Sequence, residues 1–245
     1  MASRDRNMPD AAEIKLFCTT ALNKAMEELA PAFERANGHK LAMTFASAAS
    51  LAKRVAEGEA ADVAIVSAPA VDDLIKQGRV APGGRVDIAK SDMGVAVRAG
   101  AAKPDISSSE AFKRTLLSAK AIAASNPAGG GASGTHFAAV LERLGIADAV
   151  KSKLKYSGGG GLGGLAGTLV ANGEAEIGVQ QISELMAAGG VDIVGPLPAE
   201  LQNTTQFSAG IPVNAKAPDA GKALIAFLTT PAARNVLKAK GLEPG

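Results

Sequence analysis

Glu13–Ser67 reads EIKLFCTTALNKAMEELAPAFERANGHKLAMTFASAASLAKRVAEGEAADVAIVS, and this stretch decides the fold class. Ile14–Phe17 has the character of a short buried strand. Leu22, Ala25, Met26, Leu29 and Phe33 then recur at helical spacing, and Gly38 stands where a left-handed residue closes a helix. Lys40–Phe45 reads as a second strand. The small-residue turn Ser47–Ser50 opens a helix over Leu51–Glu57 that stops at Gly58. Val63–Ser67 is an uninterrupted apolar run, the pattern of a parallel strand covered on both faces. The order β-α-β-α-β, continued by a helix over Val71–Gln77, predicts a parallel sheet with helices on both sides. Ligands of such sheets sit beyond the carboxyl ends of the strands. Here those ends are Cys18–Ala21, Phe45–Ser50 and Val66–Pro69, all built from small or hydroxyl side chains.

Outward from this block, Asp92–Arg98 reads as a strand and a second alternation follows. It comprises a helix over Glu110–Leu117, a strand Ala121–Ala124 and the loop Asn126–Ser133 (NPAGGGAS) before a helix Gly134–Leu144. A second glycine-rich loop, Gly158–Gly164, precedes a helix running to Asn172; Ile177–Val179 and Val191–Val194 read as strands around a helix Ser183–Ala188. Thr205–Val213 is strand-like, and Ala220–Leu228 and Ala232–Lys240 read as terminal helices, the second begun by Pro231. Those last helices have no sheet of their own and should pack back on the first block. The expected fold is therefore α/β with two lobes: residues 1–12 a tail, 13–90 plus 206–245 one lobe, 91–205 the other, with two crossover strands as a hinge.

Composition narrows the function. Apolar residues make up 47% and charged residues 20%, an ordinary globular balance. With seven Phe, one Tyr and no Trp, there is little with which to stack sugars or bases. A net charge of +2 without a Lys/Arg run argues against nucleic acid. The single cysteine, Cys18, excludes an intrachain disulfide and reads as a small buried hydrophobe. No Cys/His spacing suggests a metal, no cofactor is expected, and no stretch reaches the roughly 18 apolar residues of a membrane span. The polar start Met1–Ala12 lacks the apolar segment of a signal peptide. Two expectations follow: a periplasmic protein if a leader has been removed, a cytoplasmic one otherwise.

Four donor-rich turns precede helices: Thr19-Thr20, Ser47–Ser50, Asn126–Ser133 and Ser157–Gly164. Glycines let backbone N–H groups turn inward, and a helix N-terminus offers unpaired donors with partial positive charge. Together these features suit a small anion. No GxxxxGK[ST] is present, and the GxGxxG match at Gly158–Gly163 follows no clear buried strand, which disfavours nucleotides.

At Lys15–Ala25, Phe45–Arg54 (FASAASLAKR), Glu57–Ser67 (EGEAADVAIVS), Asn126–Gly145 and Gly173–Ser183 the chain resembles the molybdate-binding protein family, type II solute-binding proteins of ABC importers. The resemblance implies a monomer that captures a small anion, an oxyanion or organic carboxylate, and presents it to an ABC permease. It also implies a ligand site at Thr19, Thr20, Ala21, Ser47, Ala48, Ser133, Gly134, Thr135, Gly163 and Gln181. Family members use serine hydroxyls where this chain has Ala21 and Ala48, and a tyrosine where it has Gln181. Thr20, Ser47 and Ser50 are adjacent substitutes, and a larger or differently shaped ligand is implied. Aconitate isomerase, a relative on this fold, gives the alternative of an isomerase acting on a small tricarboxylate. In that reading His136, in the first turn after the glycine loop, is the acid/base. His39 is expected at the surface, and Asp62 and Glu184 as structural partners.

Overall fold

In the computed structural model, which describes residues 11–129, 131–157 and 164–245, the chain forms a mixed α/β fold around one long curled sheet. The first block runs β1 (Glu13–Thr19), α1 (Asn23–Asn37), β2 (Lys40–Ala46), α2 (Ala48–Ala56), β3 (Val63–Ser67) and α3 (Ala68–Lys76). β1 pairs in parallel with β2 on one side and β3 on the other, as the alternation predicts. Gly38 adopts φ 75° at the C-cap of α1, a conformation costly for any residue with a Cβ. The helical stripe Ala25, Met26, Leu29 and Phe33 is wholly buried against the sheet. Each large side chain in it contributes roughly 1.5–3 kcal/mol of burial.

β4 (Val86–Arg98) is longer than the expected Asp92–Arg98 and joins the two halves of the sheet. Its residues Val86–Asp92 pair antiparallel with β9 (Thr204–Gly210), which in turn pairs with β3. Its residues Met93–Arg98 pair instead with β7 (Ile177–Gln181) and β8 (Val191–Pro196). The first residues of this strand were hidden because Asp87, Lys90 and Ser91 interrupt the apolar pattern that marks a buried strand.

Beyond β4 lie α4 (Ser109–Ser118), β5 (Ile122–Ser125), α5 (Ala132–Arg143), α6 (Ala147–Val150), β6 (Leu154–Ser157), α7 (Ala166–Ala171), β7 and α8 (Ile182–Ala188). β5 pairs in parallel with both β6 and β7. β6 supplies the strand that sequence reading missed before the second glycine loop. It is an edge strand with Lys155 and Tyr156 exposed, so it carries no apolar run. After β9 the chain returns through α9 (Pro218–Leu228) and α10 (Pro231–Ala239), which pack with α1 over the first block, and ends in the short strand β10 (Glu243–Pro244) on β4. Each half therefore has its own core. One is centred on Phe33, Phe207 and Leu224, the other on Phe112, Phe137 and Val179. No helix among the described residues is long and apolar enough to cross a membrane.

Asp62 locks the return of the chain. Its carboxylate is buried and accepts from the backbone N–H of Lys15 at 2.8 Å, Lys216 at 2.7 Å and Ala217 at 2.8 Å. His39 is buried rather than at the surface. Its Nδ1 accepts from the Ala12 N–H at 3.2 Å, and its ring lies on Phe33.

Candidate functional site

The parallel strands of both halves deliver their carboxyl ends to one cleft: Thr19 of β1, Ser67 of β3, Ser125 of β5, Ser157 of β6 and Gln181 of β7 all line it. The cavity there has a volume of about 230 Å³, room for a small molecule only. Ser and Thr hydroxyls come from both sides, and Thr205 and Phe207 of β9 close the base between them. Among the described lining residues there is no Lys, Arg or His, and the sole carboxyl group is that of Glu184.

Two helix starts face this space. Ser47 caps α2 by accepting from Ser50 N–H at 3.2 Å, and its hydroxyl reaches across to the Gly129 carbonyl at 3.4 Å. α5 begins after Gly131, which has no side chain to cap the helix, so no N-cap side chain occupies the donors of its first turn. Gly134 explains why α5 can start so close to β5: a Cβ there would stand 2.7 Å from the Ser125 carbonyl oxygen. That close approach sets Ser133 Oγ 3.2 Å from Ser125 Oγ, to which the Gln180 amide donates at 3.0 Å. Gln180 in turn accepts from the Ala166 N–H at 2.8 Å, which fixes the start of α7 beside the cleft.

Of the expected site residues, Thr19, Thr20, Ser47, Ala48, Ser133 and Gln181 line the cavity. Ala21 is buried in the core behind it, so the hydroxyl on that turn comes from Thr20. Gly134 is buried beneath the helix start, and Thr135 is exposed away from the cavity. Gly163 lies outside the described residues. His136 is corrected: its Nε2 lies 2.8 Å from the Leu201 carbonyl, on the side of α5 turned from the cleft, because the helix rotates past the cavity within its first turn. Cys18 is fully buried, and burial pushes its thiol up, which leaves it inert as a nucleophile.

Sequence reading missed Ser67, Ser125, Gln180, Thr205 and Glu184. Ser67 lay within the strand end Val66–Pro69 without being singled out, and Ser125 stands one residue past the expected strand Ala121–Ala124 but is the last residue of β5. Glu184, three residues beyond the end of β7, is 8% exposed and accepts from the Thr20 hydroxyl of the opposite half at 2.8 Å. Burial pushes its carboxyl up from the ordinary value, outweighing hydrogen bonds from the Thr20 and Gln180 side chains that favour the ionised form. Gln181 is 4% exposed, and its Oε1 has no partner among the described residues. The cleft therefore offers hydroxyls, amides and main-chain donors that a ligand of suitable chemistry can pair.

Two half-sheets, joined by strands that pass between them and opening their strand ends onto a shared polar cavity, define a two-lobed binding fold of the type II periplasmic class. Residues 14–243 match the model of the family described as bacterial extracellular solute-binding protein, and the chain belongs to that family. It is 36% identical over 225 residues to the aconitate isomerase of a Pseudomonas species, covering 89% of this chain and 83% of that protein. It is 25% identical over 244 residues to the molybdate-binding protein ModA of Escherichia coli, covering 96% and 90% of the two chains. In structure it resembles the periplasmic molybdate-binding protein of Azotobacter vinelandii, with a TM-score of 0.76 at 22% identity, over 94% of this chain and 98% of that one.

Proposed function

We propose that the protein captures a small anion, an oxyanion or an organic carboxylate, in the cleft between its lobes and delivers it to an ABC importer from the periplasmic side. The observation that carries this reading is the lining itself: Ser and Thr hydroxyls, the amides of Asn126, Gln180 and Gln181 and the starts of α2 and α5, with no cation among the described lining residues. Neutral, oriented donors hold an anion without a counter-charge, because each N–H or O–H that would stay unpaired in a closed cleft is satisfied by a ligand oxygen. The lobes are 13–90 plus 206–245 and 91–205, moving about β4 and β9 as a monomer, with Thr20, Ser47, Ser133, Gln181 and main-chain donors as the grip.

A ligand that binds the folded state alone raises stability by mass action, about 2.7 kcal/mol at a hundredfold excess over Kd, or roughly 5–10 °C for a chain of this size. Thermal melting with molybdate, sulfate, citrate and both aconitate isomers tests the reading. A shift of that order with one of these anions supports it and names the class; no shift with any of them contradicts it.

A second reading is favoured by the relative named aconitate isomerase and by the carboxyl of Glu184 in the cleft. Here the protein interconverts the two forms of a small tricarboxylate. Glu184, rather than His136, then moves the proton, since a general acid or base must reach the reacting carbon. Incubation with trans-aconitate and detection of the cis isomer decides it, with Glu184→Gln abolishing any turnover.

A further inference from the structure

Glu184 sets a condition on what the cleft can hold. It projects from the first turn of α8, is nearly inaccessible, and bonds across the lobes to Thr20. An anion drawn into the same desolvated space would meet an ionised carboxylate with no cation among the described lining residues. Two like charges at such range do not both stay ionised; a shared proton relieves the repulsion.

Among the described residues, the elements packed against α8 bring no compensating charge to Glu184. The elements packed against α8 are α7, β4, β7, β8, the turn Thr20–Leu22 and, through Gly241, the end of α10. α7, β7 and the turn carry no ionisable side chain. On β4, Asp87 accepts from Ser208, Asp92 is engaged by Thr204, and Lys90 and Arg98 are exposed. Asp192 of β8 accepts from the Gly100 N–H. On α10 and just after it lie Arg234, Lys238 and Lys240, the last paired with Glu28. None of these acts on the Glu184 carboxyl, which burial raises against the opposing hydrogen bonds of the Thr20 and Gln180 side chains. Gln181 also lines the cavity, and its buried Oε1 has no partner among the described residues.

We infer that Glu184 makes anion capture proton-linked: the cleft closes on its ligand with Glu184 protonated, and the anion enters together with one proton whenever Glu184 was ionised beforehand. Thr20 Oγ1 donates to Oε1, and the protonated carboxyl adds one O–H that can be donated to a ligand oxygen. This rests on the anion-binding reading and specifies it. The site selects acceptor-rich anions under conditions where Glu184 is neutral, and its affinity falls as pH rises, by at most about tenfold per pH unit for one linked proton.

Calorimetric titration with trans-aconitate and with molybdate tests this from about pH 7 to about pH 9, where neither anion itself titrates, in pairs of buffers with different heats of ionisation. The dependence of the heat on buffer gives the protons taken up. The wild type should take up a fraction rising toward one proton, with affinity falling over the same range. Glu184→Gln, which keeps the shape and a donor, should bind with no proton uptake and a flat pH profile. Binding by the wild type with no uptake and constant affinity across the range overturns the inference alone. So does uptake that persists in Glu184→Gln. The wild-type measurement stands by itself if the variant fails to fold. No heat from either anion at any pH overturns the anion reading and this inference with it.

Discussion

Two buried carboxyl groups, one on each lobe, are wired in opposite ways. Asp62 lies behind the first half-sheet and accepts three backbone N–H groups, two from the segment leading into α9 and one from β1. Glu184 lies at the cleft, faces the other lobe, and receives hydroxyl and amide side chains in place of main-chain donors. The first arrangement commits its oxygens to holding the chain's return path. The second leaves a carboxyl available to a ligand and sensitive to protonation. Burial alone does not separate the two, since both side chains are nearly inaccessible; the identity of the donors does.

The largest effect should come from Asp62. Asp62→Ala strands three buried donors and should cost roughly 3–5 kcal/mol of stability, about 10 °C or more in melting temperature. Asp62→Asn, which keeps one acceptor oxygen, should cost less. Denaturant melts of both variants check this, and a cost below about 1 kcal/mol for Asp62→Ala would break the structural half of the comparison.

The smaller effect has the opposite sign. Because the Glu184 carboxyl is raised in the fold, the folded state holds a proton that the unfolded chain releases. Its favourable contribution is complete below the unfolded carboxyl value and is lost as pH rises through the folded value, at up to about 1.4 kcal/mol per pH unit between the two. Glu184→Gln removes this penalty. In the absence of ligand it should therefore melt higher than wild type at alkaline pH and converge with it in mild acid. Parallel pH–melting curves would contradict the assignment of Glu184 as the titrating group.

Much of the fold was legible because its first block obeys simple periodicities. The stripe from Leu22 to Phe33, the cap at Gly38 and the run Val63–Ser67 each name their own element, and the structure has all three. What failed was what depends on partners distant in sequence. β4 looks polar at its start because its neighbours are supplied by β9, more than a hundred residues away. β6, at the sheet edge, needs no apolar run and showed none. At the site, the strand-end logic pointed to Thr19, Thr20 and Ser47 and the glycine-loop reading to Ser133, and all four line the cavity. The rotation of α5 that turns His136 toward Leu201 is invisible in one dimension. Glu184 and Asp62 both looked structural in the sequence, since the Thr20 hydroxyl that distinguishes one of them comes from 164 residues away.

The central claim is that the hydroxyl-lined cavity between the lobes is where the anion binds. Ala132 offers the cleanest way to plug it, being exposed on the fold yet lining the cleft at the first position of α5. Calorimetric titration of the most stabilising anion into wild type and Ala132→Phe, with melting curves run alongside, puts the claim to the test. The account predicts one site per wild-type chain, with affinity lowered at least about tenfold in the variant while its ligand-free melting temperature holds. Equal affinity in the two proteins would place the ligand elsewhere and contradict it.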